Sequence, residues 1–376
     1  MQTLIDILSL RRGHCSEGEI ELIEKYILPL NPTIWSGKPA SYATTNIVSL
    51  PIVAAYTVQV DDTSVLWSCH TDTVHPLLGS TTQVVTYDTD LEIIWKEDGE
   101  PLGADDGAAV WLFLRMIAAK VPGTYIFHRG EEKGGIGSKI MARDHQDFLK
   151  KFTHAIAVDR KKTCSVITHQ ARGRCCSDKF AQHLGEMLSD ADFLLEADDT
   201  GVYTDTAEYT GIIGECTNLS AGYTDEHTAK EMLDFRYIDW LRERLCSIDI
   251  HALLAVSHRK PGEVDSYDWP VGSYYANWSD KKHTYTPNYQ LSHYLEDLHA
   301  NSQPEEIVEY KLHQLEKWIK QENPYVIARL IQNLAYDLLD MQSLVHEYET
   351  QMVEPVDADD TPSIGESDDT QTQATA

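Results

Sequence analysis

Positive charge is what this 376-residue sequence has least of: 31 Lys and Arg stand against 60 Asp and Glu, a formal net charge of −29. A chain so acidic offers no basic face, so neither nucleic acid nor an anionic membrane is expected as a partner. Long apolar runs are also missing, and none approaches the roughly 20 residues a membrane span needs. The N-terminus, Met-Gln-Thr-Leu-Ile-Asp-Ile, has no basic region followed by an apolar stretch and a cleavage site, so no secretory signal is expected there. A disulfide framework is absent too. The seven cysteines are odd in number, Cys175 and Cys176 are adjacent, and no Cys-x-x-Cys occurs. Reduced thiols and a cytoplasmic location are the expectation. What is present is an apolar fraction of 42%, enough for a substantial core without cross-links.

Hydrophobic patterning divides the chain into alternating elements. Residues 20–28 read as a helix starting at Ser16-Glu17-Gly18-Glu19, and 107–120 as an apolar helix closed by Val121-Pro122-Gly123. Strands are expected at 52–60, 64–68, 124–128, 154–158 and 211–216, and further helices near Ser138, at 177–189 and at 225–241. Alternation of strand and helix is the grammar of an α/β domain with a largely parallel sheet, whose ligands gather at the carboxyl ends of the strands. The expected fold is α/β, with three α/β/α layers, a mostly parallel central sheet and a C-terminal helical extension. A catalytic domain would span 1–256. An extension rich in aromatics and then helical would span 257–352, and a disordered acidic tail 353–376.

Five residues that can hold a hard or borderline metal ion fall in order within these elements. They are His70 in Cys-His-Thr-Asp-Thr-Val, Asp105 in Gly-Ala-Asp-Asp-Gly, Glu132 in Gly-Glu-Glu-Lys-Gly-Gly-Ile-Gly-Ser, Asp159 in Ala-Val-Asp, and His227 in Tyr-Thr-Asp-Glu-His-Thr. Two imidazoles and three carboxylates suit a pair of divalent ions that share one carboxylate. Such a pair makes hydroxide at neutral pH and polarises a carbonyl, which is hydrolytic chemistry. Each motif alone has a plainer reading, a helix-capping turn for Asp105-Asp106 or a solvated pair for Glu131-Glu132; their order together carries the metal reading.

The motifs His-x-Asp-Thr-Val, Gly-Ala-Asp-Asp and Glu-Glu-x-Gly-x-x-Gly-Ser resemble those of the co-catalytic zinc exopeptidases, the clan of zinc aminopeptidases, peptidase T, dipeptidases and aminoacylases. The resemblance covers about residues 40–240. It implies that His70 and Asp159 hold one ion, Glu132 and His227 the other, and that Asp105 bridges both. It implies a cis peptide at Asp105-Asp106, and Glu131 as the general base. Asp72, two residues from His70, would fix the His70 tautomer. Zinc is the expected ion, with cobalt or manganese as alternatives. The short interval between Asp159 and His227 resembles the compact branch without a lid domain, and an Asp at position 159 resembles aminopeptidases and dipeptidases. The expected substrate is then a small peptide or an N-acyl amino acid. Arg172 could fork onto a substrate carboxylate, and Tyr223 could donate to an oxyanion. The rival readings are a deacylase or carboxypeptidase with the same metals, a catalytically silent metal-binding relative, and a scaffold whose C-terminus recruits a partner.

Overall fold

The structure is a computed structural model that describes residues 1–38, 51–97, 99–170 and 173–263. Its elements in chain order begin with helices α1 (Gln2–Leu8) and α2 (Glu17–Leu22), then strands β1 (Thr33–Gly37), β2 (Ile52–Val60), β3 (Val65–His70), β4 (Thr86–Asp88) and β5 (Ile93–Trp95). Helix α3 (Ala104–Ala118), strand β6 (Gly123–His128), helices α4 (Ile136–Asp144) and α5 (Gln146–Leu149) and strand β7 (His154–Arg160) follow. Next come β8 (Ser165–Ile167), the short pair β9 (His169–Gln170) and β10 (Gly173–Arg174), α6 (Asp178–Leu188), β11 (Glu196–Asp198) and β12 (Glu215–Ser220). Strands β13 (Tyr223–Thr224) and β14 (Met232–Asp234) and helices α7 (Phe235–Cys246) and α8 (Ile250–Leu254) complete the described chain.

Eight strands form one sheet in the order β1-β2-β6-β3-β7-β12-β8-β11. Its centre is parallel, since β6, β3, β7 and β12 run together, and β11 pairs parallel with β8. Antiparallel pairs flank that centre at β1/β2, β2/β6 and β12/β8. Strands buried on both faces lose the alternation of half-buried ones, and all six residues of β3 and of β6 are buried, Cys69 among them. The chain crosses from β3 through α3 to β6, then back past β3 through α4 to β7. Right-handed crossovers in opposite directions put α3 and α4 on opposite faces, the three-layer α/β arrangement expected from the sequence. A second sheet of four strands, β13-β14-β5-β4, stands apart from the first.

Two expected elements are displaced. The strand expected at 211–216 lies at Glu215–Ser220, and Ile213 instead closes a turn by donating its amide to the Tyr209 carbonyl at 2.8 Å. The helix expected over 225–241 starts only at Phe235, where Asp234 caps it by accepting from the Tyr237 amide at 3.0 Å. Residues 225–231 form a loop that joins β13 to β14, with Asp225 and His227 in left-handed conformation (φ 52° and 65°). A chain bent twice in this way cannot continue a helix.

Residues 257–263 still belong with the sheet. Glu215 of β12 accepts from the amides of His258 and Arg259 at 2.8 and 2.9 Å, and the Arg259 guanidinium donates to the Gly214 carbonyl at 2.9 Å. The rest of the expected extension and the acidic tail lie outside the described residues. Among the described residues, no helix is long and apolar enough to cross a membrane.

Candidate metal centre

Parallel strands deliver the first residues of the site side by side. Ser68 of β3 pairs with Ala157 of β7, so His70 and Asp159, two positions further, emerge level with each other. His70 stands opposite His128 of β6, and the chain leaving β6 turns at Gly130 (φ 74°) into Glu131 and Glu132. A side chain at position 130 would be both backbone-strained and about 3.0 Å from the His14 ring, so glycine fits there. Asp105 and Asp106 open α3 with non-helical backbone angles, and the peptide bond between them is cis, as the resemblance implied.

Side chains from these scattered positions meet. Asp105 places Oδ1 3.1 Å from Nε2 of His70 and Oδ2 3.1 Å from Nε2 of His227. The His70 Nε2 also faces Asp159 Oδ1 at 3.6 Å, and the His227 Nε2 faces Glu132 Oε1 at 3.0 Å. Each imidazole nitrogen therefore looks at two carboxylates, and Asp105 is common to both groups. The Glu132 oxygen is buried and has no donor in hydrogen-bonding geometry among the described residues, despite the nearby imidazole. All but His227, whose side chain is 45% exposed, are deeply buried.

The electrostatics of the group are set by buried carboxyls packed around two imidazoles. Burial drives the Glu131, Glu132 and Asp159 carboxyls above their ordinary range, and neighbouring negative charge adds to the effect. Asp105 goes the other way: burial would raise it, but His227 and His70 hold it below the usual range. Burial works against the charged forms of both histidines, yet the carboxylates around them outweigh it and raise both. Asp106, also fully buried, is raised by burial and then by Asp159. Among the described residues, no Lys or Arg pairs with these carboxylates. The nearby Arg12 guanidinium is occupied by the carbonyls of Ile7, Thr71 and Gly103. Five carboxyl groups surround two imidazoles in three linked trios, His70-Glu131-Glu132, His70-Asp106-Asp159 and Asp105-Glu132-His227, a set of mixed N and O donors that fits divalent cations.

Hydrogen bonds from other elements aim the cluster. His70 Nδ1 lies 2.9 Å from the main-chain carbonyl of Asp72, which leaves Nε2 to face the carboxylates. The Asp72 carboxylate, 3.8 Å from that Nδ1, accepts instead from the amides of Gly130, Glu131 and Glu132 at 2.8, 3.1 and 3.2 Å. Asp72 thus fixes the tautomer through its backbone, because β3 ends at His70 and the two side chains do not share a strand face. Its carboxylate organises the turn of Glu131 and Glu132. That segment is a turn and not extended, since the Glu131 carbonyl accepts from Gly134 and Gly135. Both glutamates reach within 4.8 Å of the His70 ring nitrogen.

Three contributors stand outside the expected set of site residues. Glu231, buried, accepts from the amides of Gly103 and Asp105 at 3.0 Å each and so ties the His227 loop to the start of α3. Asn218 of β12 brackets Asp159, accepting from its amide at 2.7 Å and donating to its carbonyl at 2.9 Å. Asp106 accepts from the His70 amide at 3.2 Å and belongs to the possible ligand trio with His70 and Asp159. The one sequence signal for Glu231 was its place four residues after His227. Tyr223, expected to reach an oxyanion, is 2% exposed and donates to Asp159 Oδ1 at 2.9 Å, so its hydroxyl is already committed. Arg172 lies outside the described residues.

No protein-family model matches the sequence, and no curated protein matches it. Among solved structures, the fold is similar to that of the aminopeptidase PepT from Bacillus cereus, with a TM-score of 0.51, 12% identity, and coverage of 67% of this chain and 97% of that one. A tripeptidase from Staphylococcus aureus aligns at a TM-score of 0.48 with 13% identity, over 67% of this chain and 97% of its own. The TET1 peptidase from Pyrococcus horikoshii aligns at 0.44 with 13% identity, over 68% and 98%. The likeness to PepT is one of fold: a mostly parallel α/β sheet, on which this chain assembles its cluster of two histidines and five carboxyl groups.

Proposed function

We propose that this protein is a metal-dependent exopeptidase, an aminopeptidase or dipeptidase, that hydrolyses the amide bond of small peptides. One observation carries the reading: the two oxygens of Asp105 each face a different histidine at 3.1 Å, as a carboxylate shared by two ions must. His70 and Asp159 would hold one ion, Glu132 and His227 the other, with Asp105 between them. Zinc suits the mixed imidazole and carboxylate donors best, and cobalt or manganese would also be accepted. When bound, such a pair lowers the pKa of water towards about 7 and polarises an amide carbonyl.

Glu131 is the group for proton transfer. It is partly exposed where Glu132 is buried, which leaves its carboxylate open to a water it can deprotonate and to the leaving amine. Asp72 holds the amides on either side of Glu131, so the carboxylate is presented from a fixed turn. Between Asp159 and His227 the chain adds β8, β11 and β12 to the same sheet, in keeping with the compact branch that lacks a lid. All seven cysteines are free thiols, which agrees with a reducing compartment such as the cytoplasm.

The test is hydrolysis of unblocked, N-blocked and C-blocked dipeptides by the full chain, before and after chelation and with zinc restored. Chelator-sensitive cleavage that needs a free N-terminus supports the reading. Cleavage only of N-blocked substrates would make the protein a deacylase or carboxypeptidase, and metal binding without any cleavage would make it a silent relative.

A further inference from the structure

Glu19 lies on α2, far from the metal ligands in sequence, and its carboxylate is completely buried. It belongs in part to the helix cap: Ser16 accepts from the Glu19 amide at 3.2 Å. In a reciprocal capping box the glutamate would return to the amide of the cap residue. Here Oε2 accepts instead from the Cys15 amide at 2.6 Å, and the rest of the carboxylate points away from the helix, into the domain.

Its other partners are the two strand exits that carry the site. Oε1 accepts from the Thr71 hydroxyl at 2.6 Å and from Arg129 Nε at 3.0 Å, and Oε2 accepts from Arg129 Nη2 at 2.7 Å. Thr71 directly follows His70, and Arg129 stands two residues before Glu131. All three side chains are nearly inaccessible. The backbones of the same exits are joined by the Thr71 amide, which donates to the His128 carbonyl at 2.9 Å. The Asp72 carboxylate makes the second bridge, to the amides of residues 130–132. Two buried carboxylates therefore brace the exit of β3 against the exit of β6.

We propose that Glu19 is a positioning residue for the hydrolytic site: through Thr71 and Arg129 it fixes the placement of Glu131 relative to His70. This rests on the reading of His70 as a ligand and Glu131 as the base. The energetic reason is distance. A bidentate Arg–carboxylate pair resists sliding in both in-plane directions, and the Thr71 hydroxyl locks it to the neighbouring strand. A displacement of about 1 Å at a reacting group costs on the order of a hundredfold in rate.

Glu19→Gln is the obvious variant, but it leaves Arg129 buried with half a partner and can fail to fold. Thr71→Val removes only the hydroxyl at nearly constant volume, and Thr71→Ser restores it. The experiment compares the zinc-loaded full-length wild type with both Thr71 variants for kcat, KM, bound metal and thermal midpoint. Expected for Thr71→Val is a kcat reduced roughly tenfold or more, with KM and metal content retained. Thr71→Ser should recover most of the loss. A Thr71→Val protein with wild-type kcat overturns the proposal, even if its midpoint falls, because Glu19 is then purely structural. Loss of the ions along with kcat overturns it as well, and so does a serine variant no better than valine. If the wild type neither binds the ion pair nor cleaves peptides, the functional reading itself has failed and takes this proposal with it. That result differs from every variant-specific one.

Discussion

Tyr223 ends in a hydroxyl 2.9 Å from Oδ1 of Asp159, and that oxygen is the one facing His70 at 3.6 Å. The phenol is 2% exposed and orients the carboxylate that the proposal assigns to one ion. Tyr223→Phe should weaken metal binding about 10–100-fold while kcat at saturating metal stays within a few-fold of wild type. Competition with a chromogenic chelator measures the first quantity. A collapse of kcat at unchanged metal affinity would return the hydroxyl to the reaction itself.

Asp105 faces both histidines, so its loss should be felt in both halves of the site. Asp105→Asn is expected to reduce bound zinc from two ions per chain to one or none and to abolish hydrolysis. Glu132→Gln should spare the ion on the His70 side. Elemental analysis after gel filtration distinguishes the two variants.

Glu131 shares the turn with Glu132 but has a separate task in the proposed reaction. Glu131→Gln should bind metal as the wild type does and lose about 10²–10⁴-fold in kcat. A variant that keeps wild-type turnover would remove Glu131 from proton transfer.

Chelation should lower thermal stability as well as activity. The carboxyl groups at the site repel one another unless cations or protons intervene. An ion bound at a hundred times its dissociation constant contributes about 2.7 kcal/mol. The thermal midpoint should fall on chelation and recover with zinc, and an unmoved midpoint would argue against tight binding.

His75 gives a pH dependence whose sign is fixed. Burial, then the Arg12 charge, holds its pKa down at about 3, and its Nε2 lies 2.9 Å from the Pro101 carbonyl. The unfolded chain takes up this proton near pH 6.5 and the folded chain does not, so acidification favours unfolding. Relative to His75→Gln, the wild type should lose about 1.4 kcal/mol per pH unit as pH falls below roughly 6.5. Urea titrations at pH 7, 6 and 5 measure the difference, and a constant gap between the two proteins would contradict the assignment.

How much of this was legible in sequence depends on how local the cause is. The ends of β3, β6 and β7 follow from buried apolar runs, so His70, Glu131, Glu132 and Asp159 were placed correctly at strand exits. The loop of His227 was misread as a helix because its polar residues leave no period to read. Its shape comes instead from pairing with β14 and from Glu231 bonding to Gly103 and Asp105, more than a hundred residues away in the chain. Asp72 meets the His70 ring through its main-chain carbonyl and not its carboxylate, because the distance between two side chains depends on where a strand stops.

The sequence by itself determined the α/β alternation, the inventory of donors and their order, since periodicity and residue chemistry are local properties. Only the tertiary structure decided that Asp105 faces both histidines, that Asp72 and Glu19 brace the strand exits, and that Tyr223 serves Asp159. Those relationships are distances of about 3 Å between groups tens of residues apart. They exist only once the parallel strands have fixed their register and the loops have found acceptors for their amides.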